Sequence, residues 1–338
     1  MDSEYSLLGC RLYSDFFLLL RRGENIQKIR DDVLEGQQRF INLHNHQYPS
    51  SGLSVSTGIY FIENENIDVD IAIENATLAW KHAKKVHKSQ LEVFDSTLKE
   101  QRSEEQRIVG EFYEALYRGD FKMYLQPKFN LKTGEVYGAE ALARWQKPDG
   151  TIIPPFKFID SLENIGYITD LDFYIFEELL KTLSKWKKAG KRDLVVSVNF
   201  SGRHFDLDGT DFIRRLGIIM KKYAIPASQI EIEITEGVMA KNYDSLVLTL
   251  DGLRTKGFRV AVDDFGTGYS SLAVLTDIPA DVIKIDKSFL EKEFSDKNLN
   301  VLKSIGNLIN TVGRETILEG IETVEQLKIL ADCGFEYG

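Results

Sequence analysis

Residues 230–264 read IEIEITEGVMAKNYDSLVLTLDGLRTKGFRVAVDD, and this stretch decides the fold class. Isoleucine and glutamate alternate from Ile230 to Thr235, the two-residue period of a strand. Asp244 to Lys256 then places apolar residues at helical spacing, and Phe258 to Asp264 returns to an apolar run that ends on two carboxylates. Strand, helix and strand in this order form the βαβ unit of a parallel sheet.

The same alternation extends in both directions. Strand-like runs end near Asn199 (LVVSVNF), Asp286 (DVIKID) and Gly320 (TILEG), and an amphipathic helix reads from Leu171 to Lys188. Upstream, Tyr124 to Phe129 and Val136 to Trp145 are joined by a short polar link ending in Gly134, the pattern of an antiparallel hairpin. The count reaches seven strands, whereas a βα barrel closes with eight, and Gly338 follows directly on a helical pattern. One strand therefore reads as missing, with an open edge beside Glu319. The barrel is expected over 119–338. Leu98 to Tyr117, charged and free of proline, reads as a connecting helix over 98–118, and residues 1–97 as a partial α/β module. In that module, residues 9–20 and 53–62 are expected as strands, 24–43 and 69–86 as helices, and Leu91 to Phe94 as a last strand.

Composition narrows the function classes. A chain of 338 residues with 43% hydrophobic and 28% charged residues is ordinary globular material for two domains. Phe16 to Leu20, followed at once by Arg21 and Arg22, is far short of the roughly 20 residues a membrane span needs. Cys10 and Cys333 form neither a disulfide framework nor a thiolate zinc cluster, which fits a reducing cytoplasm. A net charge of −10 argues against DNA or RNA as partner, because backbone binding depends on clustered Lys and Arg. An acidic protein still binds a phosphodiester if its carboxylates first recruit cations.

In a βα barrel the C-terminal strand ends converge on one mouth. Here they supply Glu140, Asn199, Glu233, Asp263 with Asp264, Lys284 and Glu319. Taken singly, each has a plain structural reading. Glu140 could pair with Arg144 on a strand face, Asn199 could cap the turn into Ser201, and Glu233 could face away from a core. Asp263-Asp264 could open a helix, and Glu319 could lie in a surface turn before Gly320. Lys284, set among Val282, Ile283 and Ile285, demands a carboxylate partner. Together the five carboxylates would repel one another unless cations neutralise them. Two divalent ions with Lys284 nearly balance that charge, and oxygen donors without His or Cys favour Mg²⁺ or Mn²⁺ over zinc.

These residues resemble the EAL family of cyclic di-GMP phosphodiesterases. The tripeptide Glu140-Ala141-Leu142 continues to Arg144, follows Gln126-Pro127 and precedes Pro154, Pro155 and Phe156. The match runs on through Asn199-Phe200-Ser201, Glu233-Ile234-Thr235-Glu236, Asp263 to Leu272 (DDFGTGYSSL), Lys284-Ile285-Asp286 and Glu319 to Thr323. The tripeptide alone means little, since Glu114-Ala115-Leu116 repeats it by chance, but the ordered set is specific. The resemblance implies a modified TIM-type (β/α) barrel with one antiparallel strand. It implies that Glu140, Asn199, Glu233 and Asp263 bind one metal and Asp263 with Asp264 the second. Lys284 would position or help deprotonate the attacking water, with Glu319 and Glu322 completing the network. Gln126 and Arg144 would contact the dinucleotide, and Glu236 would anchor the loop from Asp264 to Ser271. Implied too are two Mg²⁺ or Mn²⁺ ions, linear pGpG as product and a homodimer through this domain. One departure is that family members carry a Gln-Gly pair in an eighth strand, just beyond Glu336-Tyr337-Gly338.

The first ninety-seven residues resemble the second half of a GGDEF (diguanylate cyclase) domain, through Arg11 to Phe17, Ser54 to Ile59 (SVSTGI) and Ala76 to Lys85. Tyr13-Ser14 replace the glycine pair and Phe16 the acidic residue, so the backbone approach to phosphate and the metal ligand are gone. A regulatory or structural module is expected there, without cyclase activity. For the whole chain the expectation is cyclic di-GMP hydrolysis. Two alternatives stand beside it, a cyclic di-GMP receptor that binds without cutting, and a scaffold that binds no dinucleotide.

Overall fold

The computed structural model describes every residue except 1–5, 14, 24, 49–52, 65, 86–90, 207–208, 241–242, 267–271 and 291–294. The chain divides into two units, Met1–Arg107 and Ile108–Gly338. Among the described residues, no helix is long and apolar enough to cross a membrane.

The first unit opens with the antiparallel pair β1 (Ser6–Tyr13) and β2 (Phe16–Arg21). The strand-like run over 9–20 lies in this pair, with a turn at Asp15, and Ser14 lies outside the described residues. Helix α1 (Ile26–Gln47) starts at Asn25, whose side chain accepts from the Lys28 N–H at 3.0 Å and satisfies an otherwise orphaned donor. Strand β3 (Thr57–Ile59), helix α2 (Val69–Lys85) and strand β4 (Leu91–Val93) form a βαβ unit with parallel strands. Among the described residues, Thr57, Gly58 and Ile59 of the 53–62 run pair with β4. Gly58 permits close packing: a Cβ there would stand 2.1 Å from the Trp80 nitrogen and 2.3 Å from the Ala76 carbonyl oxygen of α2.

Helix α3 (Ser96–Arg118) covers the segment expected as the connection. From Ile108 onward it belongs to the second unit, where Ile108, Phe112 and Ala115 are buried on one helical face.

In the second unit β5 (Phe121–Phe129) and β6 (Val136–Gln146) form an antiparallel hairpin, and β7 (Ile152–Ile153) pairs with the end of β6. Helices α4 (Ile159–Ile165) and α5 (Ile168–Lys188) lead to β8 (Val195–Asn199), followed by α6 (Thr210–Tyr223) and β9 (Ile230–Thr235). Then come α7 (Tyr243–Thr255), β10 (Arg259–Phe265), α8 (Leu272–Asp277) and β11 (Val282–Ile285). The chain continues through α9 (Asp296–Thr311), β12 (Glu315–Leu318) and α10 (Val324–Asp332). The curled sheet has the order β12-β11-β10-β9-β8-β6-β5, parallel from β6 to β12.

Strand β9 shows why the alternating sequence suits this sheet. Ile230, Ile232 and Ile234 are fully buried on one face with the helices' core residues, among them Leu246, Leu250 and Leu253 of α7. Each such side chain contributes about 1.5–3 kcal/mol. Glu231 and Glu233 are buried too, on the opposite, concave face, where they need charged partners.

The last residues of the chain lie along the edge beside β12, up to the level of Leu318, whose N–H donates to the Tyr337 carbonyl oxygen at 3.1 Å. Tyr337 bridges Ile317 of β12 in the parallel sense and Asn130, next to β5, in the antiparallel sense. Gly338 and Phe129 exchange backbone hydrogen bonds of 2.8 and 3.0 Å. The turn at Gly334 (φ 93°) and the buried Phe335 bring these last residues between the two end strands, so the sheet's ends are joined. Three residues beyond a helix carry no periodicity, which is why the sequence leaves this strand unread.

Candidate functional site

Parallel strands carry their C-terminal residues to one rim, and the register decides which face each occupies. Gln126 stands directly opposite Glu140, Glu140 opposite Ser197, Asn199 opposite Glu233, and Glu233 opposite Ala261. The carboxylates of β6, β9 and β10 therefore share the concave face with Lys284 of β11.

Lys284 is the hub. Its side chain is 1% exposed, and its Nζ lies 2.9 Å from Glu140 Oε2, 3.2 Å from Glu233 Oε2, 3.1 Å from Asp263 Oδ2 and 2.7 Å from Glu319 Oε1. An ammonium has three protons, so four carboxylates at these distances share them. Asn199 Nδ2 donates to Glu140 Oε1 at 2.8 Å and to Glu233 Oε2 at 3.3 Å, tying the first two carboxylates together.

Asp263 and Asp264 are consecutive, and in a regular strand they would point to opposite faces. Asp264 instead takes a left-handed backbone (φ 56°), and the β10–β11 register shifts between Val262 and Phe265. The Asp264 N–H donates to Asp263 Oδ1 at 2.9 Å. This irregularity brings carboxylate oxygens of Asp263, Asp264 and Glu319 within 4.8 Å of one another, and Glu140, Glu233 and Asp263 form a second such group. Two overlapping sets of hard oxygen donors that share Asp263 can hold metal ions of the kind that prefer carboxylates.

The electrostatics express the crowding. Burial raises Glu140, with the neighbouring Glu233 charge adding to it. Burial pushes Asp263 up to about 7, helped by Glu233, Glu319 and Asp264 and opposed by Lys284. Burial likewise raises Asp264 and Glu319. For Glu233 burial acts upward as well, but Lys284 and Lys128 outweigh it and bring the carboxyl down to about 2. Burial disfavours the Lys284 ammonium, yet the surrounding carboxylates hold its pKa well above the usual lysine range. Five carboxylates thus crowd around Lys284, with Lys128 reaching Glu233 alone among them, an excess of negative charge suited to cations.

The remaining residues singled out in the sequence lie at different distances from this cluster. Gln126 is exposed and shares a face with Glu140 by direct cross-strand pairing. Arg144, half-buried, stands further along the same face of β6, with its Nη1 on the Ala143 carbonyl oxygen at 2.8 Å and its guanidinium 6.0 Å from the Tyr124 ring. Glu236 is buried, and its Oε2 accepts from the Gly266 N–H at 3.2 Å. The following residues 267–271 of that loop lie outside the described residues. Glu322 is exposed at the start of α10, where its N–H donates to Gln326 Oε1 at 2.7 Å. Among the described residues no hydrogen bond or ion pair joins the Glu322 side chain to the cluster.

One residue of the site goes unnoticed in the sequence. Lys128 is 7% exposed, and its Nζ lies 2.9 Å from Glu233 Oε1 and 3.0 Å from Glu231 Oε1. The signal was present, since Lys128 follows Gln126 by two residues on a strand and, like Lys284, needs carboxylate partners when buried.

The chain is 30% identical over 325 residues to the oxygen sensor protein DosP of Escherichia coli, covering 95% of this chain and 40% of that protein. It is 28% identical over 281 residues to the cyclic di-GMP phosphodiesterase NbdA of Pseudomonas aeruginosa, covering 83% of this chain and 36% of that protein. The chain therefore spans well under half the length of these relatives. Among solved structures, the complex of the MucR phosphodiesterase from Pseudomonas aeruginosa with c-di-GMP aligns with a TM-score of 0.64 and 27% identity, covering 68% of this chain and 93% of that one. Residues 109–338 match the EAL domain as a family, and the chain belongs to that family.

Proposed function

We propose that the second unit hydrolyses cyclic di-GMP to linear pGpG. The observation that carries this reading is the Lys284 hub beneath two overlapping carboxylate sets that share Asp263. NbdA, a relative at 28% identity, is by name a cyclic di-GMP phosphodiesterase, and MucR was solved as a phosphodiesterase in complex with c-di-GMP. The donor set fits divalent cations, with Glu140, Asn199, Glu233 and Asp263 toward one ion and Asp263 and Asp264 toward another, Mg²⁺ or Mn²⁺ by their oxygen-only character. Such ions supply Lewis acidity at the phosphoryl oxygens and a water of lowered pKa.

The chain's own residues do the rest. Lys284, whose ammonium sits among the cluster's carboxylates, would position the attacking water or help deprotonate it. Glu319, at 2.7 Å, fixes the direction of that ammonium. Gln126 and Arg144, which share a face with Glu140, would contact the dinucleotide, the Arg144 fork being suited to a phosphate. Glu236 holds the backbone at Gly266, where the loop after Asp264 begins. Action in the cytoplasm, a homodimer through this domain and a degenerate cyclase-like first unit of regulatory role belong to the same reading.

The test is turnover of cyclic di-GMP with Mg²⁺ or Mn²⁺, beside Glu140→Ala and a chelator control. The proposal expects pGpG from the unaltered chain and none from the variant. Tight binding without cleavage would instead favour a receptor, and neither binding nor cleavage would favour a scaffold.

A further inference from the structure

We infer that Lys128 is a positioning residue that fixes the orientation of Glu233 for cation binding, a role that rests on the hydrolase reading above. The two oxygens of this fully buried carboxylate are engaged on different sides. Oε1 accepts from Lys128 at 2.9 Å, whereas Oε2 lies 3.2 Å from Lys284 and 3.3 Å from Asn199. The terminal torsion of a glutamate is soft, so without an anchor on Oε1 the carboxylate plane would be held by its Oε2 contacts alone and could pivot about that oxygen. Lys128 removes that freedom and leaves Oε2 as the oxygen presented to Glu140 and Asp263.

Lys128 is itself held in place. Its Nζ also donates to Glu231 Oε1 at 3.0 Å, and Glu231 Oε2 accepts from Arg259 Nε at 3.1 Å. Arg259 Nη2 in turn donates to Glu315 Oε2 at 3.0 Å. Lys128, Glu231, Arg259 and Glu315 thus form a ladder of alternating charge across β5, β9, β10 and β12. The ladder is neutral as a whole, and Glu233 is the extra anion leaning on its upper rung. Carboxylates that bind cations depend on such outer partners for orientation, and their loss costs about 10- to 100-fold in metal affinity.

Removing Lys128 alone would leave Glu231 and Glu233 as adjacent buried anions and would risk the fold. Lys128→Met with Glu231→Met keeps the ladder neutral and isolates orientation from charge. Mn²⁺ binding is measured by electron paramagnetic resonance on the whole chain, with circular dichroism to confirm folding. The double variant is expected to lose about 10- to 100-fold in Mn²⁺ affinity, with a lower kcat for cyclic di-GMP and an unchanged KM. Lys128→Arg, which retains a cationic donor, is expected to lose less. Glu231→Gln, which leaves the Lys128–Glu233 bond in place, is expected to keep the affinity. Unchanged affinity in the folded double variant would overturn the inference, and so would a loss in Glu231→Gln as large as that in the double variant. If the double variant fails to fold, Lys128→Leu with Glu231→Gln, also neutral overall, takes its place, and unchanged Mn²⁺ affinity in that folded variant overturns the inference. Turnover by the unaltered chain is followed in parallel, so that absent hydrolysis sinks the hydrolase reading while the Mn²⁺ affinities report on Lys128 separately.

Discussion

The Asp264 N–H donates to the Asp263 carboxylate across 2.9 Å from a left-handed backbone, and this contact between neighbours is what puts two consecutive carboxylates on one side of a strand end. A non-glycine residue in that region costs about 1–2 kcal/mol, stored here at the mouth of the sheet. Asp264→Gly should therefore leave the protein as stable or up to about 1 kcal/mol more stable, while removing one carboxylate and with it the activity. Thermal denaturation beside a turnover assay checks both halves; a destabilised yet active variant would contradict the assignment.

Lys284 neutralises part of a buried anionic cluster, so its removal should be felt in the fold as well as in the chemistry. Lys284→Met is expected to lose activity and about 3–5 kcal/mol of stability, because four carboxylates lose their common partner. Added Mg²⁺ should recover part of that loss. Urea unfolding with and without Mg²⁺ measures it, and a stability equal to that of the unaltered protein would show that the four contacts contribute little.

The pH dependence of the cation-free protein follows from Asp263. Its carboxyl rises from 3.8 unfolded to about 7 folded, so the folded state keeps a proton that the unfolded chain has lost. The associated stability is fully present below pH 3.8 and disappears as pH climbs through about 7. Glu140, Asp264 and Glu319, also raised by burial, act with the same sign. Glu233, lowered from 4.5 to about 2, acts oppositely, but its contribution is lost only as pH falls below 4.5. Between pH 4.5 and about 7 the raised carboxyls dominate, and stability in chelator should fall by on the order of a few kcal/mol. Divalent cations should flatten the profile, most strongly above pH 7. A Tm series in chelator that rises over this window would contradict the account.

Closure of the sheet through Tyr337 gives a stability prediction away from the cluster. Tyr337 packs against Tyr137 with ring centroids 4.4 Å apart and the ring planes tilted by 47°, worth about 0.5–1.5 kcal/mol beyond the area buried. Tyr337→Ala should lower Tm, whereas Tyr337→Phe, which keeps the ring, should hardly change it. Calorimetry on the two variants separates ring packing from the backbone bridges.

What the sequence revealed, and what it hid, have physical reasons. Strand periodicity exposed β8 to β12, and the demand of a buried lysine for carboxylates pointed to Lys284. Lys128 obeys the same demand, yet it follows Pro127 in a strand with exposed positions, where a lysine passes for surface. The short strand around Tyr337 carries no period to read, and its pairing depends on a turn at Gly334 set by φ. Glu322 matches a motif by spacing, and its N–H turns to Gln326 at the start of α10, a capping contact that motif spacing alone does not show.

The central claim is that this cluster directs water onto a phosphodiester bond of cyclic di-GMP. Its most direct test is incubation of the unaltered chain with cyclic di-GMP and Mn²⁺ in heavy-oxygen water, followed by mass spectrometry of the products. The account predicts linear pGpG carrying one heavy oxygen in its terminal phosphate, with none formed by Glu140→Ala. Intact cyclic di-GMP recovered from a protein that binds both ligand and Mn²⁺ would contradict it.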